Sequence, residues 1–396
     1  MTRARPRKRG LPALAGGSIT RLPSRTSSTI AVLGAGGFIG SHLVPALAAR
    51  EGTSVLAVDS TFDKLVVPAS GAKRVERRQA RLGDAGVLEE ITARADVVVS
   101  LTALCNPALY NTRPLEVIDA NYTDLVPLVK LCAARGRRLI HFSTCEVYGR
   151  QALDRNGRRQ RQMDEESTML CLGPVASERW SYAAAKQLLE RVIWAHGVHA
   201  GLRFTIVRPF NVIGPRMDFI PGVDGEGIPR VLASFMHALM TGQDLLLVDG
   251  GRQRRAFVDV GEFVDAVVRI IDRPRACDGQ ILNLGSGVNE LSIAALARAM
   301  IAAYRVARPE APRPKVRPVP ARVFYGDGYD DSVRRVPSVG KAERLLGGWR
   351  ARRKLAEMLP AIIEDYLHRY EAAVLAPPPA RAAAGRGRGQ GQGVVG

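Results

Sequence analysis

Cysteine and histidine are scarce in this chain, at five and six among 396 residues. Cys105, Cys132, Cys145, Cys171 and Cys277 are dispersed, with no CxxC pair. An odd, scattered set in so long a chain points to free thiols in a reducing, cytoplasmic setting. The histidines form no HxxxH or Cys/His cluster, so no structural or catalytic metal is expected. No apolar run approaches the roughly 18 residues of a membrane span. No apolar stretch follows the basic start, which argues against a secretory signal. Acidic side chains are missing from both ends. The start holds Arg3, Arg5, Arg7, Lys8, Arg9, Arg21 and Arg25; the end holds Arg381, Arg386 and Arg388. These arginines and the lysine make up about half of the formal net charge of +19. Both ends are rich in Pro, Gly, Ala or Ser and lack apolar periodicity. They read as a disordered basic arm (1–28) and tail (375–396). Solvation accounts for their charge better than an organelle transit peptide or nucleic-acid contact does.

Between the ends, an apolar content of 46% allows a sizeable core, and 24% charged residues are ordinary for a soluble protein. Short apolar runs at 29–33, 54–58, 96–101, 138–142 and 204–207 alternate with helical stretches at 41–49, about 115–134 and 180–196. That alternation predicts βαβ units and a doubly wound, parallel α/β sheet of the Rossmann kind over 29–208. From Pro209 the pattern changes. Gly- and Pro-rich loops separate helices near 229–240, 260–272, 291–304 and 354–370 from short strands near 245–248 and 279–284. Residues 209–374 therefore read as a smaller substrate-binding lobe, interleaved with the first domain.

Two local patterns carry chemistry. Gly34-Ala-Gly36-Gly37-Phe38-Ile39-Gly40 joins the first strand to the first helix. Such a turn lets a pyrophosphate reach backbone amides at a helix N-terminus. Asp59 ends the second strand, where a carboxylate accepts from adenosine ribose hydroxyls and favours NAD over NADP. Asp84, just past the third strand, is a candidate for the adenine, with a solvated turn as the plain alternative. Further on, Tyr182 and Lys186 lie one helical turn apart on one face. The ammonium is expected to draw the phenol down from its ordinary range, making Tyr182 a base toward a hydroxyl. Thr144, after the strand 138–142, supplies a hydroxyl for the same oxygen.

In this order, the glycine loop, Thr144, Tyr182 and Lys186 resemble the extended short-chain dehydrogenase/reductase family, the NAD-dependent epimerases and dehydratases of nucleotide sugars. Longer stretches are similar to its UDP-glucuronate decarboxylase branch, and closer still to the UDP-apiose/UDP-xylose synthases within it. These are His141-Phe-Ser-Thr-Cys-Glu-Val-Tyr-Gly149, Arg208-Pro-Phe-Asn211, Gly214-Pro-Arg-Met-Asp-Phe-Ile-Pro221 and Phe324-Tyr-Gly-Asp-Gly-Tyr-Asp-Asp331. The resemblance spans about 29–372.

It implies NAD as cofactor, UDP-glucuronate as substrate and a homodimer built on the helices near 115–134 and 180–196. It also implies oxidation at C4, decarboxylation of the resulting β-keto acid, ring contraction and re-reduction. Glu146 and Arg335 match the decarboxylases' acid/base pair, and Arg179 is placed to hold the substrate. By residues alone, Arg335 beside Arg334 would be a surface charge pair. Cys145 stands where the simple decarboxylases carry Ser, and Cys105 where they carry Ala. Both cysteines, and Asp331, match the apiose-forming group, and a nearby Arg179 or Arg335 is expected to hold a thiolate. A buried cysteine is otherwise a small hydrophobe, the reading kept for Cys132, Cys171 and Cys277. Leu246 to Arg255 suits a nucleobase along a strand, with Asp249, Arg252 and Arg255 toward the UDP; the plain alternative is a basic hairpin. Asn211, Arg230 and Tyr329 are supporting contacts, and Tyr110 lines the sugar end. Two other functions fit the same motifs: a simple UDP-glucuronate decarboxylase, and a silent NAD or nucleotide-sugar sensor.

Overall fold

Val, Ile and Leu fill the central strands because both faces of the sheet are covered. A computed structural model describes residues 27–150, 152–326 and 331–375. Seven strands form the sheet: β1 (Ser28–Leu33), β2 (Thr53–Asp59), β3 (Val75–Gln79), β4 (Val97–Ser100), β5 (Arg138–Phe142), β6 (Phe204–Pro209) and β7 (Gln280–Leu284). They lie in the order β7-β6-β5-β4-β1-β2-β3, with every pairing parallel. Ile30 and Val32 face one buried cluster, whereas Ala31 and Leu33 face another. That two-sided burial is why the runs read as continuous rather than alternating. The expected α/β doubly wound class is the observed one. Chain order reverses between β1 and β4, and the crevice above their C-terminal ends is where such sheets bind ligands.

The strand β3 shows no apolar signal. Its sequence, Val-Glu-Arg-Arg-Gln, is mostly exposed, and it pairs only with β2. Charge on such an edge discourages pairing with another chain. The helix expected over 115–134 is two. After α1 (Phe38–Ala48) come α2 (Pro114–Asn121) and α3 (Val126–Ala134), separated by a 3-10 turn at Thr123–Leu125. Pro127 has no N–H to continue a helix from α2, so the second piece starts afresh there. Next, α4 (Ser181–Ala200) packs beside both on the sheet.

The second lobe centres on α5 (Val231–Met240), α7 (Ile293–Ala307) and α8 (Leu355–Leu375). From the later part of the chain β7 joins the sheet, and α6 (Val260–Asp272) buries Phe263, Val267 and Ile270 against its α1 face. A loop at 211–218 crosses between the lobes with three non-glycine residues at positive φ: Asn211 (38°), Arg216 (64°) and Asp218 (61°). That costly geometry is held by bonds to both sides. Arg216 Nη1 donates to Ser41 O and Lys64 O, each at 3.1 Å, while its backbone N donates to Asp365 Oδ2 at 2.7 Å. Among the described residues no helix is long and apolar enough to cross a membrane. The expected arm and tail fall almost wholly outside the described residues.

Candidate active site

The glycine turn is shaped by close backbone approach. Gly34 has φ +81°, and a Cβ on it would lie 3.0 Å from Thr102 N; a Cβ on Gly40 would lie 2.2 Å from Gly34 O. Gly37 N-caps α1 with no side-chain cap, and Gly37, Phe38 and Ile39 line the cavity in front of it. The first amides of α1 are thus open to an anion. Asp59 is pinned beside them, its Oδ2 accepting from Gly36 N at 2.9 Å and its Oδ1 from Ser60 N at 2.7 Å. A turn with no Cβ at Gly34, Gly36, Gly37 or Gly40 and a fixed carboxylate beside it fits a dinucleotide such as NAD. Asp84 stands apart from this turn. It is exposed, lies off the cavity, and closes its own turn by accepting from Arg81 N at 2.8 Å.

From this turn a cavity of about 520 Å³ runs into the second lobe. Tyr182 lines it and is 5% exposed, while Lys186 sits fully buried behind. Lys186 Nζ donates to Phe142 O at 3.1 Å. Burial lowers its ammonium to about 8, against the opposing charges of Cys105 and Glu190. Burial, and then the nearby Cys105 and Glu146, push the Tyr182 phenol well up, although a hydrogen bond with Thr144 works the other way. The expected lowering by Lys186 is therefore not met in the protein alone, because desolvation of the phenolate outweighs it. Tyr110, also buried, stacks on Tyr182 with centroids 5.0 Å apart and 12° between planes.

Facing Tyr182, the carboxylates of Glu146 and Asp331 are bonded to the guanidiniums of Arg179, Arg255 and Arg335. Glu146 accepts from Arg179 Nη1 at 2.7 Å and from Arg335 Nη1 at 3.1 Å. Asp331 accepts from Arg335 Nη2 and Arg255 Nη2, each at 2.6 Å. Burial raises both carboxyls, but the guanidiniums prevail and leave each below the usual range. The short strands Arg254–Ala256 and Arg334–Arg335 are parallel, with Arg334 opposite Arg254 and Arg335 opposite Arg255. Alternation sends Arg255 and Arg335 into the cavity. Arg254 and Arg334 go outward, where both bond Glu290 Oε1, at 2.7 and 2.6 Å. The Arg-Arg doublet read blind as a surface pair is half surface and half site.

Cys105 and Cys145 both line the cavity, Cys105 exposed and Cys145 5% exposed. Burial pushes the Cys145 thiol up, and Arg335 offsets this only in part. Of the two thiols, Cys145 is thus the one that burial holds in the neutral form. Asn211 and Arg230 line the cavity as expected, Arg230 paired with Asp218 at 3.3 Å. Asp249 and Arg252 do not. The 3-10 turn Asp249–Gly251, with Gly250 at φ 73°, reverses the chain; both side chains are exposed, and Asp249 accepts from Ala321 N at 3.0 Å. Only Arg255, on the returning strand, reaches inward. Tyr329 lies outside the described residues. Lys64 and the edge-to-face pair Phe324–Tyr325 also line the cavity without having been assigned there. The aromatic doublet lay inside a quoted motif, but Lys64 had no sequence signal.

A tyrosine–lysine pair set beside a dinucleotide cradle at a sheet's switch point equips a protein to move hydride and proton together at a carbinol. The chain belongs to the NAD dependent epimerase/dehydratase family, whose sequence profile matches residues 30–285. It is 43% identical to the UDP-D-apiose/UDP-D-xylose synthase of Oryza sativa subsp. japonica, over 87% of this chain and 91% of that protein. It is 42% identical to UDP-D-apiose/UDP-D-xylose synthase 1 of Arabidopsis thaliana, over 87% and 93%. Among solved structures, the PbgP3 protein from Burkholderia pseudomallei superposes with a TM-score of 0.74 at 30% identity, covering 88% of this chain and 98% of that one.

Proposed function

We propose that this chain converts UDP-glucuronate to UDP-apiose, with UDP-xylose as co-product. The observation that carries the reading is the presence of two thiols, Cys105 and Cys145, in the cavity that holds Tyr182 and the Glu146–Arg335 pair. The Gly34–Gly40 turn and Asp59 would hold NAD, which when bound would supply the hydride acceptor and donor of the reaction. Tyr182 takes the proton of the sugar's 4-hydroxyl, with Thr144 bonded to the same oxygen and Lys186 supplying positive charge behind. The C4 ketone makes the uronic acid a β-keto acid, and its C5–C6 bond breaks with release of carbon dioxide. Arg335 and Arg179 hold the carboxylate, and Glu146, ionised between them, relays a proton from water to C5.

Ring contraction then breaks C2–C3 by retro-aldol cleavage and joins C2 to C4. A proton leaves the 2-hydroxyl as that bond breaks; as C2 joins C4 the 3-hydroxyl loses its proton to become an aldehyde, the C4 oxygen takes one up, and one is delivered to the C2 alkoxide. The exposed Cys105 takes the base role; Cys145, kept as a thiol by burial, is the acid. Arg255, Arg230 and Asn211 hold the UDP end.

Incubation with UDP-glucuronate and NAD, followed by NMR of the products, tests this. UDP-apiose resonances are expected. UDP-xylose or a 4-keto-pentose alone would make the chain a simple decarboxylase, and no conversion would make it a sensor. A homodimer through α2, α3 and α4 belongs to the same reading. It is supported by Leu115, Leu188 and Val198, which are 75%, 47% and 46% exposed on those helices. Five cysteines without a disulfide support a cytoplasmic place of work.

A further inference from the structure

Behind the catalytic helix runs a second chain of buried polar contacts that the chemistry above does not use. Glu190 lies one turn beyond Lys186 on α4 and is 4% exposed. It accepts from Arg208 Nε at 2.9 Å and from Arg208 Nη2 at 2.5 Å. Arg208, near the end of β6, places its guanidinium 4.7 Å from the Tyr148 ring centroid. Tyr148 OH donates to Asn283 Oδ1 at 2.8 Å, and Asn283 Nδ2 to Met163 O at 2.9 Å. Met163 N in turn donates to Val336 O at 2.8 Å, and Met163 O accepts from Ser338 N at 2.7 Å.

The line touches three of the segments that supply reacting groups. Lys186 and Tyr182 sit on α4 with Glu190; Glu146 and Cys145 share a turn with Tyr148; Val336 adjoins Arg335. Two apolar side chains would fill the space of Glu190 and Arg208 without the desolvation an ion pair requires, so stability alone does not explain the pair. The Glu190 carboxylate, one helical turn from Lys186, also acts on its ammonium through a dry interior, where Coulomb interactions are strong. The other groups facing Lys186 are Cys105 from the loop after β4, His141 from β5, kept neutral by burial, and Tyr182 on its own helix. Among these only Glu190 is a carboxylate.

We infer that Glu190 and Arg208 are positioning residues for this site: their buried pair locks the catalytic helix to the sheet and keeps Lys186 an ammonium. The inference rests on the base role given above to Tyr182 and Lys186. Its test compares the full chain with Glu190→Gln, Arg208→Lys and the double variant Glu190→Gln/Arg208→Gln. The readouts are kcat and KM for carbon dioxide release from UDP-glucuronate across pH, alongside thermal melting.

For Glu190→Gln, kcat at pH 8 should fall about tenfold with KM within about threefold, and the basic limb of the kcat profile should move to lower pH. Arg208→Lys, which keeps both charges but loses the fork, should lower kcat and leave that limb in place. If the single Gln variant does not fold, the double variant, neutral at both positions, carries the test and should show the shifted limb. A basic limb superimposable on wild type in the folded Gln variants overturns the inference, whatever melting does. A wild type that releases no carbon dioxide overturns the functional reading, and this inference with it.

Discussion

At the Gly34–Gly40 end the cavity is shaped by main chain, with carbonyls and amides packed too closely for a Cβ on Gly34, Gly36 or Gly40. At the Arg335 end it is a set of ionised side chains from separated segments, held by one another. Glu146 comes from the turn after β5, Arg179 from the approach to α4, Arg255 from a returning strand, and Asp331 and Arg335 from another. The difference separates two ways of building a site. A backbone cradle depends on local conformation and tolerates distant change. An ion network in a dry pocket depends on every member, because each charge left alone there has lost both water and partner.

The largest expected effect comes from breaking the network. Arg335→Ala should leave Glu146 and Asp331 short of a partner, lower stability by about 3–5 kcal/mol and abolish carbon dioxide release. Gly40→Ala strikes the other end, forcing a Cβ to within 2.2 Å of Gly34 O. It should cost about 1–3 kcal/mol and weaken NAD binding while leaving UDP binding intact. Calorimetric titration of both ligands against both variants checks the contrast. If Arg335→Ala weakened NAD as strongly as Gly40→Ala does, the two ends would not be independent.

The cysteines sharpen the comparison within the sugar end. Cys145→Ser and Cys105→Ala should largely remove UDP-apiose while carbon dioxide release stays within about tenfold, roughly 1.4 kcal/mol of barrier. Product NMR from the purified variants decides this; an unchanged apiose-to-xylose ratio would make both thiols packing residues.

The smallest effect is one of pH. Lys186 in the folded chain titrates near 8, below its ordinary 10.5. An activity that needs its ammonium is present below about 8 and falls as pH rises through that value. Stability moves the other way. Between the folded and unfolded pKa values the unfolded chain holds more protons, so this group makes folding more favourable as pH rises there. A kcat profile falling above pH 8 without a parallel drop in Tm from this group is the expected pair of results.

Much of the molecule was legible in order of residues. Gly34, Gly37 and Gly40 answer a local steric demand, and Tyr182 and Lys186 share a face because a helix repeats every 3.6 residues. Two-sided burial wrote β1, β4 and β5 as apolar runs. The edge strand β3 was hidden because its one-sided pairing lets it be charged. That Asp249 and Arg252 are exposed while Arg255 lines the cavity follows from a turn of three residues, whose hand spacing cannot show.

By itself, then, the sequence determined what depends on neighbours along the chain: the sheet class, the cofactor turn and the catalytic pair. Only the tertiary structure decided which arginine of each doublet enters the site, since that follows from pairing strands about eighty residues apart, 254–256 with 334–335. It also decided charge. The raised phenol of Tyr182, the raised thiol of Cys145 and the lowered ammonium of Lys186 all follow from loss of water around groups brought together from distant segments. Desolvation is a property of the packed interior, and no spacing of residues encodes it.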